Sequence, residues 1–126
     1  MRFEILYIPT TDLAASLAFY RDELGWSELW REGATTAAVV DPDGGIQVML
    51  DQDPEARTGP MFVVDSVLAY DAERPATLEV LSAPAAIPGG YLAEYREPGG
   101  SVFYVIDQST DAATDTDTDT DTDQLE

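Results

Sequence analysis

Apolar residues fall mostly in short runs along this chain, and helical spacing is sustained in only one place. Residues 3–8 (FEILYI) form a β-rich run that stops at Pro9-Thr10-Thr11-Asp12. Asp12 or Thr11 can take up the free amides of a first helical turn there. Leu13, Leu17, Tyr20 and Leu24 then recur at i, i+4, i+7 and i+11, the buried stripe of an amphipathic helix over 13–24. Arg21, Asp22 and Glu23 are left to solvent, and Gly25 stands where a left-handed cap ends a helix. Phe19 and Tyr20 are expected to pack in the core with this helix, and Trp26 to wedge behind its end. Three strand candidates follow, over 26–31, 35–40 and 46–50, separated by Glu32-Gly33 and Pro42-Asp43-Gly44-Gly45. The first half therefore reads β-α-β-β-β.

The second half repeats the order. Residues 51–59 (DQDPEARTG) are polar and read as a linker, with the carboxylates Asp51, Asp53 and Glu55 solvated. A strand over 61–64 precedes a short helix over 66–73 that Pro75 stops, and strands are expected over 77–81, 91–96 and 102–106. The two halves echo each other in their closing hairpins: DPDGGIQVMLDQ (41–52) and EPGGSVFYVIDQ (97–108) run in step over twelve residues. Such an echo marks a duplicated module. The expectation is one α+β domain over 1–108, built from module one (3–52) and module two (60–108). Residues 109–126, an Asp-Thr alternation with almost nothing apolar, are expected to form a disordered acidic tail.

Charge changes the picture next. The net charge is −19, and the six basic residues are all Arg. Seven of the 25 acids lie in 109–126, so the folded part still carries 18 acids against those six arginines. A surface of that sign repels nucleic acid and anionic lipid, which need Lys and Arg clusters. Its self-repulsion is relieved only where salt screens it, which points to a halophilic source. No apolar run approaches a membrane span, and no signal pattern opens the chain, so a cytoplasmic protein is expected. The chain has neither Cys nor His. Thiol chemistry, zinc-thiolate sites and imidazole bases are thereby excluded.

The stretch IPTTDLAASLAFYRDELG (8–25) resembles the first-module signature of the vicinal oxygen chelate superfamily. That superfamily includes glyoxalase I, bleomycin-resistance proteins and extradiol dioxygenases. The turns DPDGG and EPGGS are similar to its recurrent Asp-Pro-Asp-Gly-Asn turn, and the resemblance spans 3–108. It implies two tandem βαβββ modules forming an open, cup-shaped mixed sheet, usually completed by dimerisation, with a ligand or metal on the concave side. Family enzymes hold a divalent metal with His, Glu or Gln at three or more of four positions, on the first and last strands of each module. Counting from the matching motifs, those positions fall on Ile5, Val48, Gly59 and Tyr104. None is an ordinary metal ligand. Glu4 and Gln47 are sequence neighbours of two of them, but a one-residue step in a strand points to the opposite face.

Period-two alternation from those positions gives the concave face Phe3, Ile5 and Tyr7, then Ile46, Val48 and Leu50, then Met61, Val102, Tyr104 and Ile106. Trp30 and Tyr95 are candidates for the mouth. An apolar cup with phenolic hydroxyls suits a small, flat molecule held by stacking and apolar burial. The expected function is metal-independent binding of a small apolar or aromatic molecule by a homodimer, in sequestration or drug resistance. Its ligand residues are Ile5, Tyr7, Trp30, Val48, Met61 and Tyr104, with no catalytic residue and no cofactor. The alternative is a glyoxalase-like lyase or isomerase, or a dioxygenase, with an unorthodox divalent metal site. A third possibility is a structural dimer whose own side chains fill the cup.

Overall fold

A computed structural model describes residues 1–108; the Asp-Thr repeat, and with it the expectation of a disordered tail, lies outside the described residues. The chain divides into two compact units, Phe3–Met61 and a second that runs on from Phe62 and includes Met1–Arg2. Both follow the β-α-β-β-β order read from the sequence.

Module one consists of β1 (Arg2–Pro9), α1 (Leu13–Leu17), a π-helical turn (Ala18–Glu23), β2 (Ser27–Glu32), β3 (Thr36–Val40) and β4 (Gln47–Asp51). Its strands lie in the order β2-β3-β4-β1, with β4 parallel to β1 and β3 antiparallel to β2 and β4. A parallel pair needs a long crossover, and the helix and the β2–β3 hairpin supply it. The helix lays Leu13 and Leu17 on Ala37 and Val39 of β3 and on Val48 and Leu50 of β4. Full burial of each leucine stabilises the fold by about 1.5–3 kcal/mol.

The start of α1 is held twice. Asp12 accepts from the Ala15 amide at 3.1 Å, and Gln52, just past β4, accepts from the Leu13 amide at 2.9 Å. These bonds satisfy donors that a helix leaves unpaired at its first turn. Its end differs from expectation. The Leu24 amide donates to Phe19 O, five residues back, so the last turn is wider than an α-turn. Leu24, at the end of the expected stripe, is 45% exposed, and so is Phe19, which was expected in the core. Tyr20 and Trp26 do pack on the core, their rings 5.0 Å apart.

Module two consists of β5 (Gly59–Val63), α2 (Val67–Glu73), β6 (Glu79–Ile87), β7 (Gly90–Arg96) and β8 (Val102–Ile106). Its order is β5-β8-β7-β6, antiparallel from β8 to β6. Strand β6 is nine residues long where the sequence suggested five, because Pro84 among small residues reads as a breaker. Proline is tolerated there since β6 is an edge strand, and its pairing with β7 shifts register around Ser82. Val67, Leu78, Ala93, Tyr95 and Val105 form the core beneath α2.

Tyr95 thus belongs to the core, not to a ligand mouth: its ring is fully buried and its hydroxyl donates to Asp71 at 2.9 Å. Burial first, and then the Asp71 hydrogen bond and charge, hold this phenol well above the usual tyrosine range. A pKa raised on folding leaves stability intact below the unfolded value, about pH 10, and removes it as pH climbs toward the folded value. Urea midpoints should therefore fall above about pH 10 in the wild type and fall less steeply in Tyr95→Phe. Parallel alkaline limbs would assign the loss to other groups.

Candidate functional site

Each sheet has one face under its helix and one turned away from it, and the second carries the chemistry. In module one the pleat can be phased from the core. Leu6 and Ile8 of β1 and Val48 and Leu50 of β4 pack toward α1. Ile5 and Tyr7 therefore face the other way, opposite Gln47 and Met49 across the parallel ladder. Ala38 of β3 pairs with Met49, Thr36 with Asp51, and Trp30 of β2 with Ala38, which brings all of them to this helix-opposed face.

Polar groups there are organised. Asp51 accepts hydrogen bonds from the Tyr7 hydroxyl and, at 2.8 Å, from the Thr36 hydroxyl. The Trp30 indole N–H donates to Gln47 Oε1 at 3.2 Å. Ile5 and Tyr7 are buried, whereas Trp30, Gln47, Met49 and Asp51 are half-buried. The face is an apolar floor of Ile5 and Met49 between a carboxylate held by two hydroxyls and an indole held by an amide.

In module two, Ala93, Tyr95, Phe103 and Val105 pack toward α2. Tyr104 and Ile106 of β8 therefore take the opposite face, opposite Glu94 and Leu92 of β7. Ser82 of β6 pairs with Glu94, so a hydroxyl, a carboxylate and a phenol stand in a row across three strands. Phe62 of β5 packs edge-on against Phe103, and Met61, one residue earlier and fully buried, points the other way.

Of the six residues chosen from sequence, Ile5, Tyr7, Trp30, Met61 and Tyr104 lie on helix-opposed faces. Val48 does not: it packs on Leu13 and Leu17 beneath α1, and Leu50 with it. The count from the hairpin glycine misses the face by one residue: Gln47 and Met49, on either side of Val48, lie opposite Ile5 and Tyr7. Ile46, also assigned to the face, precedes β4 and is exposed. Sequence reasoning passed over Asp51, Thr36, Met49, Glu94 and Ser82. Asp51 looked like linker, and only the β3–β4 register, which sets it against Thr36, takes it out of that class.

A divalent metal of the kind family enzymes use does not fit these residues. Ile5 and Gly59 offer no side-chain donor, the oxygen of Gln47 already accepts from Trp30, and Tyr104 is a phenol in place of a carboxylate. Among the described residues no three His, Cys, Asp or Glu side chains gather at metal-binding spacing. Such a set lacks the several charged or imidazole donors that hold transition metals.

Duplicated βαβββ modules, each with a helix on one face of its strands, define the class of α+β fold. Residues 2–116 match the model of the glyoxalase/bleomycin resistance protein/dioxygenase superfamily, and the chain belongs to it. Solved structures agree on the fold. One described as NAD-dependent benzaldehyde dehydrogenase from Legionella pneumophila superposes with TM-score 0.65 at 17% identity, covering 82% of this chain and 96% of that one. Methylmalonyl-CoA epimerase from Streptomyces coelicolor gives 0.60 at 18% identity, covering 86% and 98%. The Mn(II)-bound glyoxalase from Novosphingobium aromaticivorans gives 0.58 at 25% identity, covering 86% of this chain but 39% of that one. No curated protein matches the chain. Among the described residues no helix is long and apolar enough to cross a membrane.

Proposed function

We propose that this protein binds a small, mainly apolar molecule without a metal, sequestering or carrying it, and that it does so as a homodimer in a high-salt medium. The observation that carries this reading is Tyr104. It sits on the helix-opposed face of β8, 5% exposed, where the superfamily resemblance leads one to expect a metal-binding glutamate. Candidate contacts are Ile5, Tyr7 and Trp30 on the module-one face, where Gln47 and Met49 flank the Val48 first chosen, and Met61 and Tyr104 on the module-two face. Aromatic rings on such faces hold flat molecules by stacking, and hydroxyls orient them.

Calorimetric titration of 2-naphthalenemethanol into the protein in molar salt tests the reading. Saturable binding is expected, unchanged by EDTA, and weakened about tenfold or more in Tyr104→Ala while circular dichroism stays native. Unaltered affinity in that variant would remove Tyr104 from the site. A second reading, a glyoxalase-like lyase or isomerase, is favoured by the likeness to the manganese glyoxalase and requires a stoichiometric metal.

A further inference from the structure

Module one carries a half-buried carboxylate whose hydrogen bonds both come from neutral groups. Asp51 ends β4, and the Tyr7 and Thr36 hydroxyls donate to its two oxygens. Other acids are engaged by arginine: Glu28 by Arg21 and Arg31, Asp71 by Arg74, Glu79 by Arg96. The two hydroxyls fix the orientation of the Asp51 carboxylate, but they bring no positive charge to balance it. A carboxylate has room for about four hydrogen bonds, so Asp51 keeps acceptor capacity beyond these two.

Its surroundings narrow what can use that capacity. Met49 supplies apolar surface two residues along β4 on the same face, and the rings of Tyr7, opposite Met49, and of Trp30, in the same row across Ala38, offer aromatic surface that can attract a cation. Anions are disfavoured by a chain of net charge −19. A metal dication is poorly served here: Glu32, in the same row across Thr36, is exposed, and no group of three metal-binding side chains forms among the described residues. An organic ammonium group has what is missing: one positive charge and several N–H donors on a body that can bury against apolar side chains.

We propose that Asp51 makes the module-one face selective for a small molecule that carries a protonated amine beside a flat apolar body. The inference rests on the binding function proposed above and adds the class of ligand. Tyr7 and Thr36 position the carboxylate; Asp51 makes the contact. A purely structural Asp51, tying the ends of β1, β3 and β4 together, would affect stability and would not distinguish a charged probe from a neutral one.

The test compares 2-naphthylmethylammonium with its neutral counterpart 2-naphthalenemethanol, by calorimetry in molar salt so that the diffuse field of the surface is screened. The wild type is expected to bind the ammonium about tenfold or more tightly than the alcohol, as a charge-assisted hydrogen bond would give. Asp51→Asn is expected to abolish that preference and leave alcohol affinity within about twofold. Asp43→Asn removes the same charge from an exposed turn and should keep the preference. Equal affinities in the wild type would overturn the inference while leaving apolar binding intact, and so would a preference surviving in Asp51→Asn. Binding of neither probe would overturn the binding function and the inference together. Equal wild-type affinities overturn the inference even if Asp51→Asn fails to fold.

Discussion

Replacing Asp107 by alanine is expected to destabilise the protein by about 3–4 kcal/mol, because it strips the partners from two amides inside the fold. The residue is 1% exposed. Its carboxylate accepts from the Val67 amide, the first of α2, and from the Tyr91 amide of β7 at 3.0 Å. Its own amide donates to Tyr91 O, so one residue ties β7, the end of β8 and the helix start together. Alanine leaves both amides without that partner inside the fold. Asparagine keeps one carbonyl oxygen, so Asp107→Asn should lose about half as much. Urea unfolding followed by circular dichroism measures both. A loss below about 1 kcal/mol in the alanine variant would mean that water reaches those amides.

Gly90→Ala should be as damaging through a steric route. A Cβ at Gly90 would lie 2.0 Å from the Asp107 carbonyl oxygen and 2.5 Å from Oδ1 of the same residue. The first contact is with backbone, so no side-chain rotation relieves it; strand β7 must move off its neighbour or the Asp107 anchor must break. Overpacking of this kind costs about 3 kcal/mol or more, enough to unfold a marginal domain. Gly45→Ala is the contrasting case, since the nearest atom to its Cβ is 3.6 Å away on the exposed Asp41–Gly45 turn. Its unfolding midpoint is expected to stay near that of the wild type. Similar midpoints for the two variants would show that the β7–β8 contact can relax.

Both helix starts and the hairpins were legible because short-range chemistry encodes them: Asp12 and Ser66 cap their helices, and Gly25 takes the left-handed cap conformation. The face of β4 was not legible. Letter for letter, the echo pairs Val48 with Tyr104 and Asp51 with Asp107. By role it pairs Gln52 with Asp107, since each accepts from the first amide of its module's helix. The copies slip by one residue because β4 starts at Gln47, six after Asp41, whereas β8 starts at Val102, five after Glu97. Alternation could not reveal the slip, because Val48, Met49 and Leu50 are all apolar and a strand covered on both faces has no polar beat to set its phase. That one-residue slip hid Asp51 and Met49, which by role stands where Tyr104 does, and it placed Val48 on the wrong side. Nor could the sequence give the π-helical turn, after which Leu24 is exposed.

The most direct check on metal-free binding is elemental analysis of protein exposed to Mn, Fe, Co, Ni and Zn in molar salt and then dialysed extensively. Ile5, Gln47, Gly59 and Tyr104 should hold none of these metals at stoichiometric level. Retention of about one equivalent of a single metal per chain would contradict the donor chemistry on which the binding function rests.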